Sequence, residues 1–149
     1  MIANAMLNHI LNETVNTIKA IIPGMMTIHH PAKMTSLAIS ESFAVSIVMK
    51  GDIRGKLLIH GNENAFGIIG KQMFGMELVG DMLQSFTGEF GNMIAGNLST
   101  NFSHNNIFMD ISTPRVSYRI KDHITFQHAI NIPISLNEEE SFQISFILE

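Results

Sequence analysis

The chain has 149 residues, 46% of them hydrophobic and 15% charged, enough apolar material for one packed domain and too apolar for a disordered segment. A formal net charge of −4, with 9 Lys and Arg spread along the chain, argues against nucleic acid, because a phosphate backbone needs clustered cations. Cysteine is absent, which removes disulfides and thiolate metal sites and fits a cytoplasmic location.

From the N-terminus, Ile2, Met6, Ile10, Ile18 and Ile21 recur near helical spacing, and Pro23-Gly24 stops the run, so a first helix is predicted over about 2–22. Asn4, Asn8, His9, Asn12, Glu13, Asn16 and Lys19 interrupt its apolar character. Neither a signal peptide nor a membrane span is expected from such a segment. Between Met25 and His60 the pattern changes. Phe43, Val45, Ile47 and Met49 alternate with Ala44, Ser46, Val48 and Lys50, which predicts a strand with one buried face. Gly51-Asp52 signals a turn into a second strand over Ile53 to His60.

A short helix is predicted next, from about Asn64 to Phe74, with Asn62 or Asn64 as its N-cap and Gly75 closing it. A longer, proline-free helix follows from about Val79 to Ser103, broken by His104-Asn105-Asn106. The rest reads as strands over 108–112, 115–120, 123–132 and 142–148, with Pro114 and Pro133 at strand edges or turns and Glu138-Glu139-Glu140 as a solvated tip. Strands grouped this way, without regular β-α alternation, predict a single α+β domain: helices on one face of a mostly antiparallel sheet.

The long helix carries the most informative pattern. With Glu89 at zero and about 100° per residue, Leu83, Phe86, Phe90, Met93 and Ile94 fall within roughly 40° to 140°, an apolar stripe for the sheet. Ser85, Gly88, Asn92, Gly96, Ser99 and Ser103 fall between about 260° and 340°, a face both polar and small, with no Lys or Arg from Gly80 to Ser103. Glycine inside a helix costs about 1 kcal/mol relative to alanine, so Gly88, Gly91 and Gly96 imply a need for close approach. Either another protein lies on the bared backbone, or another helix of the same chain packs there with Glu89 and Asn92 as rim residues. Glu89 and Asn92, three residues apart, project from this face as neighbours.

The segment Ser85-Phe-Thr-Gly-Glu89-Phe-Gly-Asn92-Met-Ile-Ala-Gly-Asn97 resembles the signature helix of the CheC/CheX/FliY family of chemotaxis phosphatases. Ser85, Glu89, Asn92 and the downstream Pro114 stand at that family's motif positions, and Met93 to Asn97 with Asp110 to Pro114 resemble the CheX branch. The resemblance implies a substrate, the aspartyl phosphate of a CheY-like response-regulator receiver domain, and a CheC/CheX-like fold. It implies that Asn92 orients the attacking water and Glu89 pairs with the receiver's lysine, both acting as the catalytic pair, while Ser85, Gly88 and Gly96 make room for the partner. It also implies that Mg²⁺ comes from the receiver, with no cofactor or metal of the chain's own, and that the chain is a homodimer. Glu13 and Asn16 repeat the spacing on the first helix, but His9 stands where Ser or Asp belongs, and the pair reads as a solvated face. Gly91 lies within the main motif, where alanine would make the better helix, and it is expected to loosen the site.

Two other classes compete. One is a non-catalytic receiver-binding or dimerisation module of a signalling or flagellar switch complex, distinguished by binding without turnover. The other is a metal enzyme using some of the seven histidines; His29-His30 and His123/His128 differ in strand parity and show no helical His pair.

Overall fold

The alternation from Phe43 to Met49 becomes strand β3 (Phe43–Gly51), paired with β4 (Gly55–Gly61) through the turn at Gly51-Asp52, in a computed structural model that describes residues 4–39, 43–118 and 122–149. Val45, Ile47 and Met49 are buried beneath the helices while Val48 and Lys50 are exposed, as the two-residue period requires. Ile2 of the first predicted helix, and Arg119-Ile120 of the strand predicted from 115, lie outside the described residues.

Around this hairpin the elements run α1 (Asn4–Ile21), β1 (Thr27–Ile28), β2 (Ala32–Ile39), β3, β4, α2 (Glu63–Phe74), α3 (Gly80–Ser103), β5 (Met109–Ile111), β6 (Arg115–Tyr118), β7 (Asp122–Ser135) and β8 (Ser141–Leu148). Among the described residues the strands form one eight-stranded sheet in the order β1-β7-β8-β4-β3-β5, with every pairing antiparallel. Both margins are built from broken strands. β1 and β2 share the edge of β7, and β5 and β6 share the edge of β3.

The core lies between sheet and helices. Phe66 of α2, Phe90 of α3 and Phe142 of β8 meet edge-on or tilted, with ring centroids 6.1–6.4 Å apart, and Phe43 joins through Phe66. Ile10 and Ile18 bring α1 into the same cluster. In α1, Thr14 Oγ1 donates back to the Ile10 carbonyl, which lets a threonine be fully buried on a helix.

Asn62, rather than Asn64, caps α2: its Oδ1 accepts from the Ala65 N–H at 2.8 Å, and Gly75 ends the helix in the left-handed region at φ 73°. Asn62→Ala should therefore lower unfolding free energy by about 1 kcal/mol. Urea denaturation checks this, and an unchanged midpoint would remove the cap's assigned weight.

Two expectations need correction. β1 and β2 occupy Thr27–Ile28 and Ala32–Ile39, a stretch for which no strand was predicted. Pro133 lies within β7, not at a turn. Its carbonyl accepts from His29 N–H at 2.9 Å, so its missing N–H falls on the same side, where the chain between β1 and β2 is not in the ladder. Lys56 apart, β4 is buried on both faces. Leu58 and His60, turned away from the helices, are buried with Ser145 and Asn131; Ser145 Oγ donates to Asn131 Oδ1 at 2.7 Å and lies 3.1 Å from His60 Nε2.

The Glu138-Glu139-Glu140 run forms the β7–β8 connection. Asn137 Oδ1 accepts from the N–H groups of both Glu139 and Glu140, holding the turn; Glu138 and Glu139 are exposed and Glu140 is half-buried.

Candidate functional site

Helix α3 lies over β3 and over the β5–β6 margin, and its buried residues are Leu83, Phe86, Thr87, Phe90, Gly91, Ile94, Ala95, Leu98 and Phe102. Measured from Glu89 these run from about 60° to 240°, wider and further round than the predicted stripe. Met93 is consequently left half-buried at the rim, while Gly91 and Ala95 go under.

The glycines separate into different roles. A Cβ at Gly91 would overlap Val45 Cγ1, and one at Gly88 would come within 3.1 Å of Val116 Cγ2. Gly91 thus lets α3 settle on β3, and Gly88 lets it pass β6. At both positions the close neighbour is a strand of the same chain and not the second helix expected, and Gly91 tightens α3 onto the sheet instead of loosening the site. Gly96 differs, since nothing lies within 4 Å of a Cβ built there.

The polar side chains of the small face also separate. Ser99 Oγ donates to the Met109 carbonyl at 2.6 Å, joining α3 to β5, and Ser103 Oγ donates to the Thr100 carbonyl. Elsewhere around the helix, Thr87 Oγ1 and Asn97 Nδ2 donate back to carbonyls one turn earlier. Ser85, Glu89 and Asn92 are exposed, and none of the three is engaged by a hydrogen bond among the described residues. They are the uncommitted polar groups on this face.

Opposite them stands a wall. Gly88, Glu89 and Asn92 line one side of an open depression whose other side is Ile111, Ser112, Thr113 and Pro114. The wall is the gap between β5 and β6, where the margin leaves β3 and rejoins it. Ser112 holds the gap in place: its N–H donates to the Val48 carbonyl at 3.0 Å, and its Oγ accepts from the Val48 N–H at 2.8 Å. That hydroxyl replaces the carbonyl a continuous strand would offer. Pro114 follows, with no N–H to satisfy.

The structure therefore brings Glu89, Asn92, Gly88 and Pro114 together. Ser85 lies one turn before Glu89 and Gly96 one turn after Asn92, on the same face but outside the depression. Sequence reasoning missed Ser112 and Thr113 as part of the wall, though both lie in the Asp110-to-Pro114 segment it singled out. The second spacing, on α1, has a different setting. Asn16 is exposed, Glu13 is half-buried, and His9 packs its ring 5.7 Å from that of Phe102.

Comparison with known proteins gives consistent results. The family described as "Chemotaxis phosphatase CheX" matches residues 43–135, which include α3 and the wall. The CheY-P phosphatase CheX of Thermotoga maritima is 30% identical over 150 residues, covering 96% of this chain and 92% of that protein. Among solved structures, a CheC-like superfamily protein from Shewanella sp. PV-4 superposes with a TM-score of 0.80 at 20% identity, covering 99% of both chains. CheX in the CheX–CheY–BeF3–Mg²⁺ complex of Borrelia burgdorferi superposes with a TM-score of 0.79 at 17% identity, covering 96% of this chain and 97% of that one. At those identities the structures share the fold.

Proposed function

This chain belongs to the chemotaxis phosphatase CheX family, and we propose that it hydrolyses the aspartyl phosphate of a CheY-like receiver domain. The observation that carries the reading is the pair Glu89 and Asn92, exposed and uncommitted on a helix whose other polar groups are mostly tied back, facing a wall that ends at Pro114. The Thermotoga maritima relative is a CheY-P phosphatase, and the Borrelia burgdorferi relative was crystallised with CheY.

Phosphoryl transfer depends mainly on positioning and charge stabilisation, so two side chains are sufficient as the phosphatase's contribution. In this reading the receiver supplies Mg²⁺ and a lysine that neutralise the transferring group. The carboxamide of Asn92 has both donor and acceptor atoms and carries no charge, so it holds a water in line without repelling the phosphate. Glu89 would repel that phosphate, and its place is against the receiver's lysine, where it sets the docking register. Ser85 and Gly96 flank the pair with little bulk, leaving the receiver's site room to close over the helix. A homodimer belongs to the same reading, with the broken margins β1–β2 and β5–β6 as the edges that could pair.

The test is to follow phosphate loss from a phosphorylated CheY-like receiver with the protein added, and then with Glu89→Gln. The wild type should accelerate the loss. Glu89→Gln keeps the side chain's length and removes its charge, so KM should rise roughly tenfold, as for a lost interfacial ion pair. A Glu89→Gln protein with unchanged KM would take away that residue's docking role. Receiver binding without any acceleration would favour the non-catalytic module.

A further inference from the structure

The corner where α2 passes to α3 exposes a group of large apolar side chains. Phe74 is 60% exposed, Met76 54%, Val79 71% and Met82 59%. Their isolation from water would normally be expected in a chain with a core this well filled, and exposed side chains of this size in one place mark an interaction surface. The patch connects to the candidate site through α3. Phe74 packs edge-on against Phe86 at 5.7 Å, and Met82 lies one turn before Phe86 on the same helix. Met82 also lies about 20° from Glu89 around the axis and seven residues before it, so about 10 Å separates them along one face, with Ser85 between.

Charge decides what the surface can receive. Glu77 and Asp81 flank the apolar group and are exposed, and Glu89 follows; these acids outnumber the exposed Lys71, one turn before Phe74 on α2, and α3 itself has no Lys or Arg. The complementary partner is an apolar surface edged by basic side chains, beside the group that Glu89 and Asn92 address.

We propose that Phe74, Met76, Val79 and Met82 form the seat for the receiver domain, taking the apolar, basic-edged surface next to its phosphorylated aspartate. The proposal rests on the phosphatase reading and extends it from the chemistry to partner selection. Two methionines suit a surface that must fit a partner closely, because the unbranched thioether adapts its shape. Glu89 and Asn92 act on groups that receivers of this kind would share, so the corner is where different receivers are told apart.

The experiment measures binding of CheY-like receivers from the same organism, loaded with BeF3⁻ and Mg²⁺, to the wild type, to the triple variant M76Q/V79T/M82Q and to M25Q. Met25 is 91% exposed and follows Gly24, which lies against Gln72 of α2; it is outside the four residues of the seat and controls for a general loss of apolar surface. The triple variant should bind at least about tenfold more weakly and M25Q as the wild type does, with phosphate release followed in parallel. If the triple variant binds as tightly as the wild type, the seat is wrong, while wild-type phosphate release would keep the phosphatase reading. If the wild type neither binds nor dephosphorylates any receiver, both fail. A triple variant that loses self-association but keeps receiver affinity assigns the corner to a second copy of the chain and overturns the proposal. Thermal melts accompany each variant, and Met82→Gln alone, an exposed substitution to a good helix former, repeats the comparison should the triple variant be unstable.

Discussion

Asn92→Ala is expected to lower the rate of receiver dephosphorylation at saturating receiver by at least about 100-fold, equivalent to about 2.7 kcal/mol of barrier. The size follows from the role proposed for the residue. A water held in line by one side chain loses its orientation when that side chain is truncated, and misplacing a reacting group costs on that order. Because the interaction exists only once water and phosphorus are aligned, the loss belongs in kcat, with KM little changed. Stability should not fall. Asn92 is exposed and unengaged among the described residues, and alanine is the better helix former, so the melting temperature should hold or rise slightly. Asn92→Asp separates shape from charge, since it preserves size while placing a negative group where the phosphate must come. It should be at least as inactive. Single-turnover measurements on both variants decide the matter, and a wild-type rate for Asn92→Ala would sink the water-positioning role.

The largest effect on folding is expected at Gly91. Alanine there gains about 1 kcal/mol of helix propensity, but its methyl overlaps Val45 Cγ1, and overpacking a filled core typically costs about 1–3 kcal/mol. Relief is hard to find. Val45 is fully buried, its β-branched side chain is stiff, and its strand is held between Ile59 of β4 and Val116 of β6. Overpacking should win, leaving Gly91→Ala less stable by up to about 2 kcal/mol by denaturant titration. Gly91→Val should be worse. Val45→Ala makes the space, so the double variant G91A/V45A should be more stable than the two single changes added together predict, by at least about 1 kcal/mol of coupling. Strict additivity would show that the two side chains do not meet. Activity reports on the same contact, because lifting α3 from β3 also moves Glu89 and Asn92 away from the Pro114 wall.

How legible the fold was depended on the range of the interactions. The β3–β4 hairpin, the caps of α2 and the span of α3 were readable because alternation, an Asn before a helix and a Gly after it are local signals. β1 and β2 were not, since the Met25-to-Ile39 stretch shows no clean alternation and its strands exist through pairing with β7, about a hundred residues later. Pro133 misled for a related reason. The rule against proline in interior strands concerns an N–H facing a partner, and a break in the neighbouring edge removes that partner.

At the site the division is sharper. The sequence by itself determined that Glu89 and Asn92 share one helix face without Lys or Arg, because helical periodicity places residues three apart side by side whatever surrounds them. Composition and the same periodicity also determined an α+β domain with its strands grouped around the helices. Only the tertiary structure decided which glycines serve packing and which stay open, since that depends on Val45 and Val116 arriving from distant strands. It alone decided that Ser112 carries the β5–β6 gap on the Val48 backbone and so raises a wall opposite the pair. The exposed corner at Phe74, Met76, Val79 and Met82 was likewise invisible, because the same apolar residues at the end of a helix fit a buried connection equally well. Which side chains meet water is settled by long-range packing, and no local pattern carries that information.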